Sequence, residues 1–453
     1  MASTRASRST IFRLMNATQH GACPCHGHRG SGHHHHHLNP LSQLRKLATP
    51  INDLPEKEYA FEIAASNLRF GEGVTAEVAM DLANMNARKV AVFTDKNLIK
   101  LHPMKTVIHA LETQGDIPYE IYDDVSVEPT EASWRHAIEW GRKGDFSHFL
   151  AVGGGSVIDT AKAANLFTVY KDADLMDFIN APIGKGLAVT KTLRPLIAVP
   201  TTAGTGSETT GAAIVDITSK NFKTGIASRA LRPTLGIVDT LNTDSCPTQV
   251  HISSGLDVLF HALESYTAIP YYERMPRPKN PNQRPAYQGS NDVSDIFSMW
   301  ALQQAIKYLP RIAKNQDDKE AKKHMLLAAT FAGIGVALTG PSVFRFTAPS
   351  SPHRHREALA LFKYTTPSDP SISRLPDDSI GSALFDAIAK FLDGLGLPRG
   401  LTAVGYTKND LERLVDGTIP QRRVLDLAPG IGNVVGEDGR EHLRSILEGA
   451  MSY

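Results

Sequence analysis

Cysteine is scarce in this chain: Cys23, Cys25 and Cys246 are the three in 453 residues. Two of them lie one residue apart and the third is far downstream, which excludes a disulfide framework and fits a reducing compartment. A surplus of charge is also missing. Lys and Arg number 48 against 47 Asp and Glu, a net charge of +1, so no global field draws the chain to nucleic acid or anionic lipid. Long apolar runs are absent too. The best candidates, Phe149 to Val152 and Leu196 to Val199, are strand-length, well short of the ~20 residues of a membrane-spanning helix. With 42% apolar residues the chain can bury two sizeable domains, and its expected partners are small molecules. Composition leaves homo-oligomerisation open.

Acidic residues are missing before Asp53, while Arg5, Arg8, Arg13, Arg29, Arg45 and Lys46 are spread among Ser, Thr, Ala and Gly. Residues 1–48 therefore read as a mitochondrial transit leader, with an ordinary basic tail as the alternative. The run His33 to His37 is read as unrelated to catalysis.

From Tyr59 to about Val238 short apolar runs alternate with amphipathic stretches such as Glu131 to Lys143. That alternation predicts an α/β domain over 49–239 with a parallel sheet and crossover helices. Beyond Asp239 the strand signals fade. Val250 to Tyr266, Val293 to Lys314, Asp318 to Gly333 and Ile380 to Leu392 read as helices, so 240–453 is predicted to be mostly α-helical, with Pro270 to Pro285 as a long loop.

Three constellations carry chemistry. Gly153-Gly154-Gly155-Ser156 lies between a strand and a helix that includes Asp159. Glycines allow close approach to a pyrophosphate, Ser156 offers an N-cap, and the helix N-terminus presents N–H groups. The bland alternative is a tight βα turn. A second loop, Pro200 to Thr210 (PTTAGTGSETT), follows another strand and brings Thr201, Thr202 and Thr205 to the same expected sheet edge, where ligands bind in open α/β folds. Asp95, at the end of the strand Lys89 to Phe93, suits the two hydroxyls of an adenosine ribose and favours NAD over NADP; its alternative is a helix N-cap. In the helical half Asp257 and His261 are four apart and share a helix face, with Glu264 a turn further on. They read as two metal ligands with a carboxylate behind them, or as an ordinary polar pair.

In order and wording, GGGSVIDTAK, PTTAGTGSETT and the Asp257/His261 helix resemble the iron-containing alcohol dehydrogenase family. Ala65 to Phe70 (ASNLRF), Thr224 to Asp239 (TGIASRALRPTLGIVD), Phe260 to Tyr266 (FHALESY) and Arg284 to Asn291 (RPAYQGSN) resemble its mitochondrial transhydrogenase branch. The resemblance implies a dehydroquinate synthase-like architecture: an N-terminal nucleotide domain, then a helical metal and substrate domain. It implies bound NAD(H) and a divalent metal, iron or zinc, in the mitochondrial matrix. The implied reaction oxidises 4-hydroxybutanoate to succinate semialdehyde and reduces 2-oxoglutarate to 2-hydroxyglutarate. Carried over by position, the pyrophosphate meets Gly154, Gly155 and Ser156 with Asp159 nearby. Thr201, Thr202 and Thr205 line the nicotinamide side, Asp95 meets the ribose, and Asp257 and His261 are the first two metal ligands. No further catalytic side chain is assigned.

The family completes its metal site with two more histidines, in a His-Gly-Met-like and a Pro-His-Gly-like stretch. Neither stretch is present: Ala332 to Ala337 passes directly to Leu338 to Phe344, which implies an internal deletion near 336–338. His324, His353, His355 and His442 are not expected to replace the missing ligands. The deletion is expected to expose apolar surface around Phe331 to Phe346. A nucleotide-binding form without turnover and a plain NAD-dependent alcohol dehydrogenase remain the alternatives.

Overall fold

The structure is a computed structural model that describes residues 56–63, 65–220, 222–333, 341–433 and 435–453. The expected leader and the deletion point at 336–338 lie outside the described residues. Strands form at Asn67–Gly71 (β1), Val90–Phe93 (β2), Tyr119–Tyr122 (β3), His148–Gly153 (β4), Leu196–Pro200 (β5) and, beyond a hairpin, Leu235–Asp239 (β8). They pair in parallel in the order β1-β8-β5-β4-β2-β3. β2, β4, β5 and β8 are buried along their whole length, as continuous apolar runs demand when helices cover both faces.

Those helices are Val78–Asn84 (α1), His102–Gln114 (α2), Glu131–Lys143 (α3) and Gly155–Val169 (α4). Val78, Leu82, Met104 and Val107 of α1 and α2 pack with Val90, Val92, Leu150 and Ile197 in one core layer. On the opposite face Ala137, Val157, Ile158 and Ala161 of α3 and α4 pack with Phe93, Phe149 and Ala151. The connection from β2 through α2 runs to β3 on one side, while β4 through α4 runs to β5 on the other. The crevice between the carboxyl ends of β2 and β4 is therefore the switch point where such sheets bind ligands.

An antiparallel hairpin, Ala212–Ile217 (β6) and Phe222–Ala227 (β7), interrupts the all-parallel expectation. β6 alternates half-buried and buried positions, the period-2 pattern of a strand with one face on a core, here the outer side of α3 and α4.

After β8 the longer elements are helices: Thr248–Thr267 (α5), Asp292–Lys314 (α6), Lys319–Ala332 (α7), Pro341–Thr347 (α8), Pro352–Phe362 (α9), Asp377–Gly394 (α10), Leu411–Thr418 (α11) and Glu437–Met451 (α12). Asn291 caps α6 by accepting from Val293 N and Ser294 N, and Asp318 caps α7 by accepting from Ala321 N. Their core includes Val258, Leu259, Leu302, Leu309, Leu326, Phe344 and Leu384, together with Ala203 and Val238 from the sheet half. The two halves thus share one core within a single compact unit. No helix among the described residues is long and apolar enough to cross a membrane.

The exposed apolar surface expected around Phe331 to Phe346 is not found among the described residues. Val343 and Phe344 are 5% and 1% exposed, Phe344 stacks on Phe260, and Phe331 packs against Phe297 and Trp300. Apolar side chains collapse onto whatever neighbours the chain supplies, so Phe331, Val343 and Phe344 pack into the helical core.

Candidate nucleotide and metal site

The glycine turn and the threonine loop meet. β4 and β5 are in register with Gly153 beside Pro200, and Thr201 N donates to Gly153 O at 3.1 Å. A Cβ on Gly154 would stand 3.2 Å from Thr202 Oγ1, and one on Gly155 only 2.7 Å from Thr205 Cγ2. These glycines are needed because the second loop lies directly against them. Thr201 is buried, Thr202 and Thr205 are half-buried, and Thr205 Oγ1 accepts from Ser207 N at 3.3 Å.

α4 starts at Gly155 with Gly154 as its N-cap, and no side chain caps that end. The N-cap role expected of Ser156 is therefore corrected: Ser156 sits inside the first turn, and its Oγ accepts from Glu128 N at 3.3 Å. Across the switch-point crevice Asp95 is half-buried. Its Oδ1 accepts from Asn97 N at 2.8 Å and Leu98 N at 3.0 Å, an acceptor role toward the following turn.

Asp159 points into the fold. Its Oδ2 accepts from Ile214 N at 2.9 Å, and its Oδ1 accepts from Ser207 Oγ and from Lys162 Nζ, the latter at 3.4 Å. Lys162 is fully enclosed, and its Nζ also donates to Ser207 Oγ at 2.6 Å, Ala212 O at 2.7 Å and Thr210 Oγ1 at 3.1 Å. Burial pushes its ammonium pKa down while Asp159 and Glu208 oppose that shift. Glu208 is 3% exposed, its carboxyl pKa is raised by burial, and it accepts from Thr330 Oγ1 of α7 at 2.7 Å. This buried cluster ties the threonine loop to α4 below and α7 above. Sequence reading passed over Lys162, Ser207 and Glu208, although an acid and a base three apart on an otherwise apolar helix were the available signal.

The loop also touches the helical half. A Cβ on Gly204 would meet Ser254 at 2.6 Å, one turn of α5 before Asp257. Lys223 is ion-paired with Glu128, whose N donates to Ser156 Oγ at 3.3 Å. Burial lifts the Asp257 carboxyl to about 6, with Lys223 opposing and Glu128 adding to the shift. His261, one turn on, is 6% exposed, and Glu264 is 7% exposed.

A family model described as iron-containing alcohol dehydrogenase matches residues 65–240. The mitochondrial hydroxyacid-oxoacid transhydrogenase of Bos taurus is 46% identical over 464 positions, covering 94% of this chain and 96% of its own. That of Homo sapiens is 45% identical over 464 positions, covering 94% of this chain and 95% of its own. This chain belongs to the iron-containing alcohol dehydrogenase family. Solved folds agree. A 1,3-propanediol oxidoreductase superposes with a TM-score of 0.69 at 21% identity, covering 87% of this chain and 100% of its own. A Red Sea brine pool alcohol dehydrogenase superposes with a TM-score of 0.71 at 20% identity, covering 88% and 100%.

The alignment with the bovine chain runs over more positions, 464, than the 453 residues of this family member, so the relative carries positions with no counterpart here. The donor chemistry bears on the metal in the family's name. Asp257 and His261 supply one carboxylate and one imidazole, and among the described residues no three His, Cys, Asp or Glu side chains group closely enough to hold an ion. The other downstream histidines are engaged elsewhere. His324 stacks on Tyr308 at 4.2 Å, His353 pairs with Glu357 at 3.3 Å, and the His442 ring meets Ile431 O at 3.1 Å. His355 is fully buried with Thr347 Oγ1 at 2.8 Å and Ser351 O at 2.9 Å. Two donors do not fit a tightly held divalent ion, which takes about three or four protein ligands.

Proposed function

We propose that this chain is a hydroxyacid-oxoacid transhydrogenase built on an NAD(H) site at the β2/β4 crevice, acting in the mitochondrial matrix after removal of residues 1–48. The nucleotide half is 49–239 and the substrate half 240–453. Asp95 takes the adenosine ribose, Gly154, Gly155 and Ser156 with the start of α4 take the pyrophosphate, and Thr201, Thr202 and Thr205 line the nicotinamide side. Asp159 acts beneath them by fixing the loop. Bound NAD(H) would supply the hydride carrier between the two half-reactions: oxidation of 4-hydroxybutanoate to succinate semialdehyde, with a proton lost to solvent, and reduction of 2-oxoglutarate to 2-hydroxyglutarate, with a proton taken up. The observation that carries this reading is the contact of the two loops, Gly154 on Thr202 and Gly155 on Thr205, at the carboxyl ends of β4 and β5 beside the β2/β4 switch point. Their orientation of donor and acceptor is the main contribution the fold makes.

The donor set favours a second reading for this form of the chain. With Asp257 and His261 as its metal ligands, it binds NAD without turnover. Metal content and NAD affinity, measured on protein freed of the His-rich leader, separate the two. About one iron or zinc per chain with coupled turnover supports the transhydrogenase, whereas a metal-free chain that binds NAD supports the inactive form. A chain that binds neither contradicts both.

A further inference from the structure

Beside the threonine loop lies a cavity of about 160 Å3 whose lining includes Thr209 and Thr210 from the loop and three arginines, Arg229, Arg232 and Arg274. None of the three has a part in nucleotide or metal binding. Two carboxylates also line the cavity, and each already has a cation: Glu62 pairs with Arg229, and Asp426 with Arg422 at 2.8 Å. Arg229 further donates from Nη2 to Pro281 O at 2.8 Å and Arg284 O at 3.2 Å. Glu58, whose field reaches Arg274, is held by Arg284 at 2.9 and 3.0 Å.

Arg232 and Arg274 are left over. Among the described residues no carboxylate lies within ion-pair distance of either. Arg232 donates Nε to Arg229 O at 3.3 Å, and the buried Nη1 of Arg274 has no hydrogen-bond partner among the described residues. Removal from water lowers the pKa of both groups, against the opposing fields of Glu62 on Arg232 and of Glu58 and Asp426 on Arg274. Two desolvated guanidinium groups on one cavity are costly unless an anion meets them, and their planar forks match the two oxygens of a carboxylate. Ile63, Ala227 and Leu427 add apolar wall, which suits the carbon skeleton of an organic acid and gives nothing to an inorganic anion.

We propose that this cavity is the carboxylate-binding subsite for the hydroxyacid and oxoacid, with Arg232 and Arg274 as the residues that hold the carboxylate. The class of ligand rests on the transhydrogenase reading above. A neutral alcohol leaves both guanidinium groups unpaired, so the subsite selects acids over alcohols of similar length.

The test is calorimetric titration of 2-oxoglutarate into the full chain without NAD, with NAD titrated separately. The wild type is expected to bind 2-oxoglutarate and to ignore 1,4-butanediol, and Arg232→Gln and Arg274→Gln are each expected to weaken 2-oxoglutarate binding by about tenfold or more. Wild type that does not bind the acid, or two variants with unchanged affinity, overturns the proposal. Where a Gln variant no longer unfolds cooperatively, the Lys variant takes its place. It keeps the charge but loses the fork, and the proposal requires a loss of about threefold or more. NAD binding without acid binding overturns this subsite alone, whereas arginine-dependent acid binding without NAD binding leaves it standing and removes the nucleotide reading.

Discussion

Lys162 shows at the residue scale how much of this site is held from beneath. Its ammonium has no contact with solvent and meets four oxygens, from Asp159, Ser207, Thr210 and Ala212. Lys162→Met leaves Asp159 as an unpaired buried carboxylate and is expected to cost about 3–5 kcal/mol, read in chemical unfolding. Asp159→Asn combined with Lys162→Met should cost less than the two singles together, and strict additivity in that cycle would disprove the coupling. His355 makes a pH prediction. Burial holds its pKa near 4, below the ordinary 6.5, so the folded chain keeps it neutral while the unfolded chain protonates it. Its contribution is present above pH 6.5 and is lost as pH falls toward 4, by up to about 3 kcal/mol. Wild-type stability should fall across that window more steeply than that of His355→Asn; parallel slopes would exclude His355 as the titrating group. Sequence placed Asp159 and His355 but could not say that their partners stand at Ser207, Ile214 and Thr347.

At the scale of elements, the loop between β5 and β6 decides whether the two halves of the site meet. Gly206 has φ +59°, and a Cβ there would lie 2.5 Å from Ala329 O and 2.6 Å from Gly333 Cα, backbone atoms that cannot rotate away. Gly206→Ala is expected to destabilise the fold by about 2–3 kcal/mol through strain and overpacking. Gly155→Ala would press on Thr205, whose Cγ2, Oγ1 and Cβ would lie 2.7, 2.8 and 3.2 Å from the new Cβ, so the threonine loop must shift and NAD affinity should fall by about tenfold. An unchanged NAD affinity in Gly155→Ala would remove the glycine turn from the nucleotide site. β2, β4 and β5 were legible as short apolar runs buried on both faces, whereas β1 and β3 carry polar and exposed positions that hide them. The β6 and β7 hairpin was not legible either, since its alternating pattern is short and its face is supplied by α3 and α4.

For the whole molecule, the shared core predicts that sheet and helices unfold together. Ala203 and Val238 pack among the side chains of α5, α6 and α7, so neither half keeps its interior without the other. In Trp300→Phe the remaining tryptophans, Trp134 and Trp140, report on the sheet half alone. Their fluorescence transition in denaturant should coincide with the loss of far-UV ellipticity, which the helices dominate; separate midpoints would show independent halves.

The sequence by itself determined the change from an α/β half to a helical half, the glycine turn, the threonine loop, the Asp257 and His261 pair, and the want of two family histidines. All of these are local patterns of residue type and spacing. Tertiary structure alone decided that Gly155 lies on Thr205, that Lys162 closes the loop from below, that the apolar stretch at Phe344 is buried, and that Arg232 and Arg274 border one cavity. Contacts between residues far apart in the chain depend on how sheets and helices pack, and packing is fixed by the sum of many weak contacts that no short stretch of sequence contains.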